Sequence, residues 1–107
     1  MKKRIFEGPT INHTSVGFDM VMFDTGLLIA YAYGEPHIVC SIRSKDLLVS
    51  ETIKDCNERN RKYNRKEIET TYKGISIEIN DTLPYGEFLA TIPNGEVIVK
   101  YKAIVED

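Results

Sequence analysis

Five side chains with binding chemistry fall in the first 43 residues: His13, Tyr31, Tyr33, His37 and Arg43. Tyrosines offer apolar faces with a polar tip, and arginine offers a planar fork of donors that fits phosphate or carboxylate. Brought together at one end of a sheet, they suit an anionic ring-bearing ligand such as a nucleotide. A second group is the tandem Asn60-Arg61-Lys62-Tyr63 and Asn64-Arg65-Lys66-Glu67. Here Arg59, Arg61, Lys62, Arg65 and Lys66 stand against Glu58 and Glu67, a local net charge of +3. Such a patch suits phosphates, nucleic acid or an acidic partner, the more so if the fold brings Lys2, Lys3 and Arg4 beside it.

Other chemistries are disfavoured by spacing. His37-Ile38-Val39-Cys40 has the interval of a metal half-site, but positions three apart on a strand face opposite sides, so no metal site is expected. Cys40 alternates with Ile38 and Ile42, which reads as a core thiol rather than a nucleophile. Asp19 and Asp24, flanking a strand, would lie about 17 Å apart, too far to share a proton. There is no P-loop, GxGxxG or GxSxG, and no cofactor is expected.

The totals narrow the function further. A chain of 107 residues fits one domain spanning 1–107. Its 42% apolar content is that of a globular protein. A net charge of −2 and a pI near 5.7 argue against a dedicated nucleic-acid binder. The longest apolar run, Leu27 to Tyr33, is far short of the roughly 20 residues of a membrane span. No apolar segment of signal-peptide length follows "MKKRIFEG", and the two cysteines make no disulfide framework, so a cytoplasmic location and no membrane partner are expected.

Elements must position these residues. "GFDMVMFD", "LLIAYAYG" and "HIVCSIRS" alternate with period two and are separated by Asp24-Thr25-Gly26 and Gly34-Glu35-Pro36, predicting an antiparallel meander. Both faces of the second strand are apolar, as in a strand covered on both sides. "IETTY-KG-ISIEI" and "FLATI-PNG-EVIVKYKAIV" predict two hairpins, with turns at Lys73-Gly74 and Pro93-Asn94-Gly95. On the last strand Val97, Val99, Tyr101, Ala103 and Val105 share one face. Lys100 and Lys102 share the other, solvent-facing or edge-protecting, side. Segment 8–17, "GPTINHTSVG", predicts an irregular loop.

One amphipathic helix is predicted over about 46–65. Val49, Ile53, Cys56, Asn60 and Tyr63 fall within an arc of about 80° on its wheel, with the five bases opposite. Asp55 to Arg59 and Glu58 to Lys62 are i, i+4 pairs in the favourable order. Asn60 is the polar member of the apolar stripe, which marks Asn60 and Tyr63 as half-buried or as residues of a self-association interface.

The expected fold is α+β: a mostly antiparallel sheet or flattened barrel of about seven or eight strands, with one helix between two β-rich halves. The expected function is a small non-enzymatic binding protein, a homo-oligomer that captures an anionic nucleotide-like ligand or a protein partner. Its brevity suits a phage or mobile-element inhibitor or sequestering protein. Nucleic-acid binding through 59–66 is the alternative, and a small hydrolase with unrecognised acids the second alternative.

Overall fold

In a computed structural model the chain is described from residue 9 to residue 106; the predicted contribution of Lys2, Lys3 and Arg4 to a basic patch lies outside the described residues. The elements run β1 (Ile11–Val16), α1 (Met20–Tyr31), β2 (His37–Cys40), α2 (Ile42–Glu58), α3 (Arg65–Thr70), β3 (Thr71–Tyr72), β4 (Ile75–Ile79), β5 (Glu87–Thr91) and β6 (Val97–Ile104). The fold is α+β, as expected. Among the described residues six strands form one mixed sheet in the order β1-β6-β5-β2-β4-β3, open rather than closed into a barrel. Three pairings are antiparallel, while β1 with β6 and β2 with β4 are parallel. Parallel neighbours need a crossover, and helices supply it here.

The first crossover corrects the predicted meander. Residues 20–31, read as two strands and a turn, are helix α1. Asp19 starts it by accepting the Met22 amide at 3.1 Å. Phe23, Gly26, Leu27 and Ala30 are buried at helical spacing against the sheet. Gly26, taken from sequence as a turn residue, sits inside the helix. A Cβ there would come within 3.1 Å of Val99 Cγ1, so the glycine permits close seating of α1 on β6. The predicted loop at 8–17 is also corrected: residues 11–16 form the edge strand β1, paired along its length with β6. Consequently β6 is not an edge, and Lys100 and Lys102 guard none.

Inner side chains line up in rows across the sheet. One row runs His13, Tyr101, Phe88, Cys40 and Ile79, and another Ile11, Val99, Ala90, Ile38 and Ile77. Most of these pack beneath α1 and α2 in one buried cluster with Phe23, Leu27, Leu48 and Tyr72. The opposite face shows Asn12, Lys100, Leu89, Val39 and Glu78 in register. Phe23 is the hub of the core, with ring centroids 5.1–5.4 Å from Phe18, Tyr72, Phe88 and Tyr101.

The predicted central helix is displaced at both ends. Ser41 caps α2 four residues early, accepting the Ser44 amide at 3.1 Å, and its hydroxyl donates to Ser44 Oγ. Ser44 Oγ in turn accepts the Gly86 amide at 2.9 Å, which pins the helix start to the start of β5. At the other end α2 stops at Glu58. Asn60 takes φ +55°, its amide donates to the Asn57 carbonyl, and the Arg61 amide donates to the Cys56 carbonyl. That pair of bonds is a Schellman stop with Asn60 in its left-handed position. The place of Asn60 in the apolar stripe came from continuing a wheel past the end of the helix, so it needs no polar interface to explain it. Asn60 and Tyr63 are both exposed in the connection to α3.

Candidate functional site

Long-range contacts converge on Asp24, the one charged residue within α1. The predicted hairpin around Lys73-Gly74 forms over residues 71–79, while residues 68–70 of its expected first strand belong to α3; both turn residues, Lys73 at φ +49° and Gly74 at φ +83°, are left-handed, as a two-residue primed turn requires. This geometry carries the hairpin tip to α1. Tyr72 donates its hydroxyl to Asp24 Oδ1 at 2.5 Å, and Lys73 Nζ reaches Asp24 Oδ2 at 2.7 Å while lying 5.2 Å from the Tyr72 ring centre. Burial first, and then the hydrogen bond and negative charge of Asp24, push ionisation of the Tyr72 phenol well above the usual tyrosine range. It remains a hydrogen-bond donor.

This tie stands between two contiguous depressions. On one side lies an apolar cavity of about 270 Å³, walled by Leu27, Leu28, Tyr31, Tyr72 and Ile75. On the other lies a charged cleft of about 680 Å³ between α1 and the end of α2, where Asp19, Asp55, Arg59 and Arg61 join Val16 and Val21. Asp24 and Lys73 line both. Within the cleft Arg59 Nε bonds Asp55 Oδ1 at 2.9 Å, as the i, i+4 spacing predicts. Asp24 holds Lys73, and Asp19 is occupied in capping α1. Arg61 has no ion-pair partner among the described residues. The cleft therefore presents one guanidinium without an ion-pair partner, flanked by two cations held by carboxylates.

No known protein family, curated protein or solved structure matches this chain.

The five residues first singled out as ligand-binding do not converge. Tyr31 ends α1 and lines the apolar cavity. Tyr33 is half-buried two residues on, and His37 opens β2 on the outer face of the sheet. Arg43 lies in the first turn of α2, beyond the far end of β2 from His37, with its guanidinium 4.5 Å from the Tyr85 ring centre. The strand alone separates the two by about 10 Å. His13 sits in mid-β1 beneath α1, its Nδ1 buried without a hydrogen-bond partner among the described residues.

The five bases are likewise not one helix face. Arg59 caps α2, Arg61 and Lys62 lie in the connection, and Arg65 and Lys66 open α3, where Arg65 pairs with Glu69 at 3.3 Å. Lys62 falls beyond the end of α2, so the helical spacing assumed for Glu58 and Lys62 does not apply there. Cys40 is fully buried, and desolvation pushes its thiol up to about 12. It faces inward while His37 faces outward, as strand alternation dictates. Asp24, Tyr72 and Lys73 were not singled out from sequence. The available signal was a lone carboxylate in the otherwise uncharged run 20–33.

Proposed function

We propose that this chain is a small binding protein that captures an anionic ring-bearing ligand, of nucleotide type, in the groove spanning the Asp24–Lys73 tie. The observation that carries this reading is the juxtaposition at one point of an apolar pocket with two tyrosine walls and a cleft holding an uncommitted arginine. A ring seats against Leu28, Tyr31 and Ile75, and a phosphate extends past Lys73 to Arg61, where a guanidinium offers paired donors. The combined space is that of pockets that hold small ligands. Part of the expected ligand set, Tyr31, is kept in this reading, and Arg59 and Arg61 pass to it from the basic patch.

Isothermal calorimetry with adenosine and guanosine mono-, di- and triphosphates tests it. The expected result is saturable binding, one per chain, lost in Arg61→Glu and weakened in Tyr31→Ala. Absence of heat with every nucleotide in the panel overturns it. Salt dependence separates this reading from nucleic-acid binding: five bases on a single-stranded polynucleotide give a log–log salt slope of roughly −3.5, against a shallow slope for one arginine.

A further inference from the structure

The charged cleft is balanced. Asp19, Asp24 and Asp55 line it together with Arg59, Arg61 and Lys73, three carboxylates against three cations. Two of the cations are already served. Arg59 Nε lies 2.9 Å from Asp55 Oδ1, and Lys73 Nζ lies 2.7 Å from Asp24 Oδ2. Asp55 sits one helical turn before Arg59, and the Tyr72 hydroxyl fixes Asp24 beside Lys73. Carboxylates tethered in this way compete at a far higher effective concentration than a dissolved anion.

An incoming anion of single charge, such as a carboxylate or a phosphodiester, therefore gains from Arg59 and Lys73 nothing that Asp55 and Asp24 do not already supply. It is left with Arg61. A phosphomonoester differs in two respects: it carries a charge of about −1.5 to −2 at pH 7, and it presents three acceptor oxygens. Coulomb energy scales with charge, so its pull on each cation is up to about twice that of a carboxylate at the same distance. The donors to receive it are present. A guanidinium has five N–H groups, of which Arg59 gives the one on Nε to Asp55, and an ammonium has three, of which Lys73 gives one to Asp24. Both pairs are open enough to water to exchange, with the Arg59 side chain 61% exposed and that of Lys73 53%. Pairs of this kind hold weakly.

We propose that the groove selects the phosphomonoester of a ring-bearing compound over the corresponding diester or carboxylate, with Asp55 and Asp24 setting the selection. The inference rests on the ligand reading above and adds the charge state of its ligand. Asp55 and Asp24 act through the cations they hold. The same selection sets the site against the interior of a polynucleotide, where each phosphate is a diester of one charge.

Isothermal calorimetry with adenosine monophosphate and with its phosphate methyl ester tests it. The two compounds share ring and sugar and differ by one methyl group and one ionisable oxygen. The monophosphate is expected to bind, and the ester to bind at least about 10-fold more weakly. Asp55→Asn keeps the size of the side chain and removes its charge. It breaks an exposed i, i+4 pair, so the melting temperature is expected to stay within a few degrees of the wild type. With Arg59 released, the ester is expected to bind that variant at least about threefold more tightly than it binds the wild type. Equal affinities for the two compounds in the wild type, or an ester affinity unmoved by Asp55→Asn, overturn the inference and leave the ligand reading standing. Heat from neither compound overturns it as well. The ligand reading answers to the full nucleotide panel, so the two failures are distinguishable.

Discussion

Removing the carboxylate of Asp24 tests whether one contact holds the second hairpin against α1. Asp24 accepts from the Tyr72 hydroxyl at 2.5 Å and from Lys73 Nζ at 2.7 Å. Tyr72 is 2% exposed, so in Asp24→Ala its hydroxyl loses its partner where water has little access. A buried donor left unsatisfied costs about 1–3 kcal/mol. The Lys73 ion pair is one-third to one-half exposed and adds little to this. The expected loss is therefore about 2 kcal/mol, or about 8–16 °C in melting temperature for a domain of this size. Tyr72→Phe removes the donor itself and is expected to cost about 1 kcal/mol, because Asp24 keeps Lys73 and partial access to water. Once the tyrosine hydroxyl is gone, Asp24→Ala leaves nothing unsatisfied, so the double variant is expected to cost little more than Tyr72→Phe alone and to fall short of the summed single effects by about 2 kcal/mol. Urea denaturation of the wild type and three variants measures this directly. Strict additivity, or a loss in Asp24→Ala below about 0.5 kcal/mol, would refute the assignment of Asp24 as the anchor of the hairpin.

Further outcomes follow from the same structure. Gly86 has φ +89°, and a Cβ there would clash with the Ala103 carbonyl oxygen, so Gly86→Ala is expected to cost about 3 kcal/mol or more in denaturant titrations. Asn60→Gly is expected to stabilise by a few tenths to about 1 kcal/mol and Asn60→Ala to destabilise by a similar amount, with oligomeric mass unchanged in both, because the position is a left-handed helix stop. Cys56 is expected to react with a thiol reagent in the native protein while Cys40 reacts only on unfolding. In the unfolded chain the Cys40 thiol ionises near 9.0, and in the folded chain near 12, so the unfolded state loses its proton first as pH rises. Stability from this thiol is complete below pH 9 and falls between 9 and 12, by at most about 1.4 kcal/mol per pH unit, and this component of the alkaline loss is expected to disappear in Cys40→Ala.

The elements legible in the sequence were those written by neighbouring residues. Lys73-Gly74 and Pro93-Asn94-Gly95 encode their hairpins locally, and both form. Helix α1 was not legible because "MVMFDTGLLIAY" is apolar at almost every position, so it satisfies a period of two as well as one of 3.6. As a helix it buries Phe23, Gly26, Leu27 and Ala30 against the sheet, where Gly26 sits close to Val99, contacts between residues far apart in the chain. Strand β1 was hidden for the same reason: its sheet partner among the described residues, β6, is the last described element. Asn60 shows the opposite failure, where a helical wheel was extended through a residue whose backbone ends the helix. Of the site, Tyr31 and the arginines were visible by type. Their relation to Asp24, Tyr72 and Lys73 was not, because it depends on the hairpin tip crossing to α1.

The proposed ligand spans the tie from the apolar cavity to Arg61. Amide chemical-shift mapping during titration with ATP tests it most directly. Saturating shifts are expected, confined to Leu28, Tyr31, Lys73, Ile75 and Arg61, with Arg43 and Tyr85 unmoved. Shifts centred on Arg43 and Tyr85, or no shift anywhere, would contradict it.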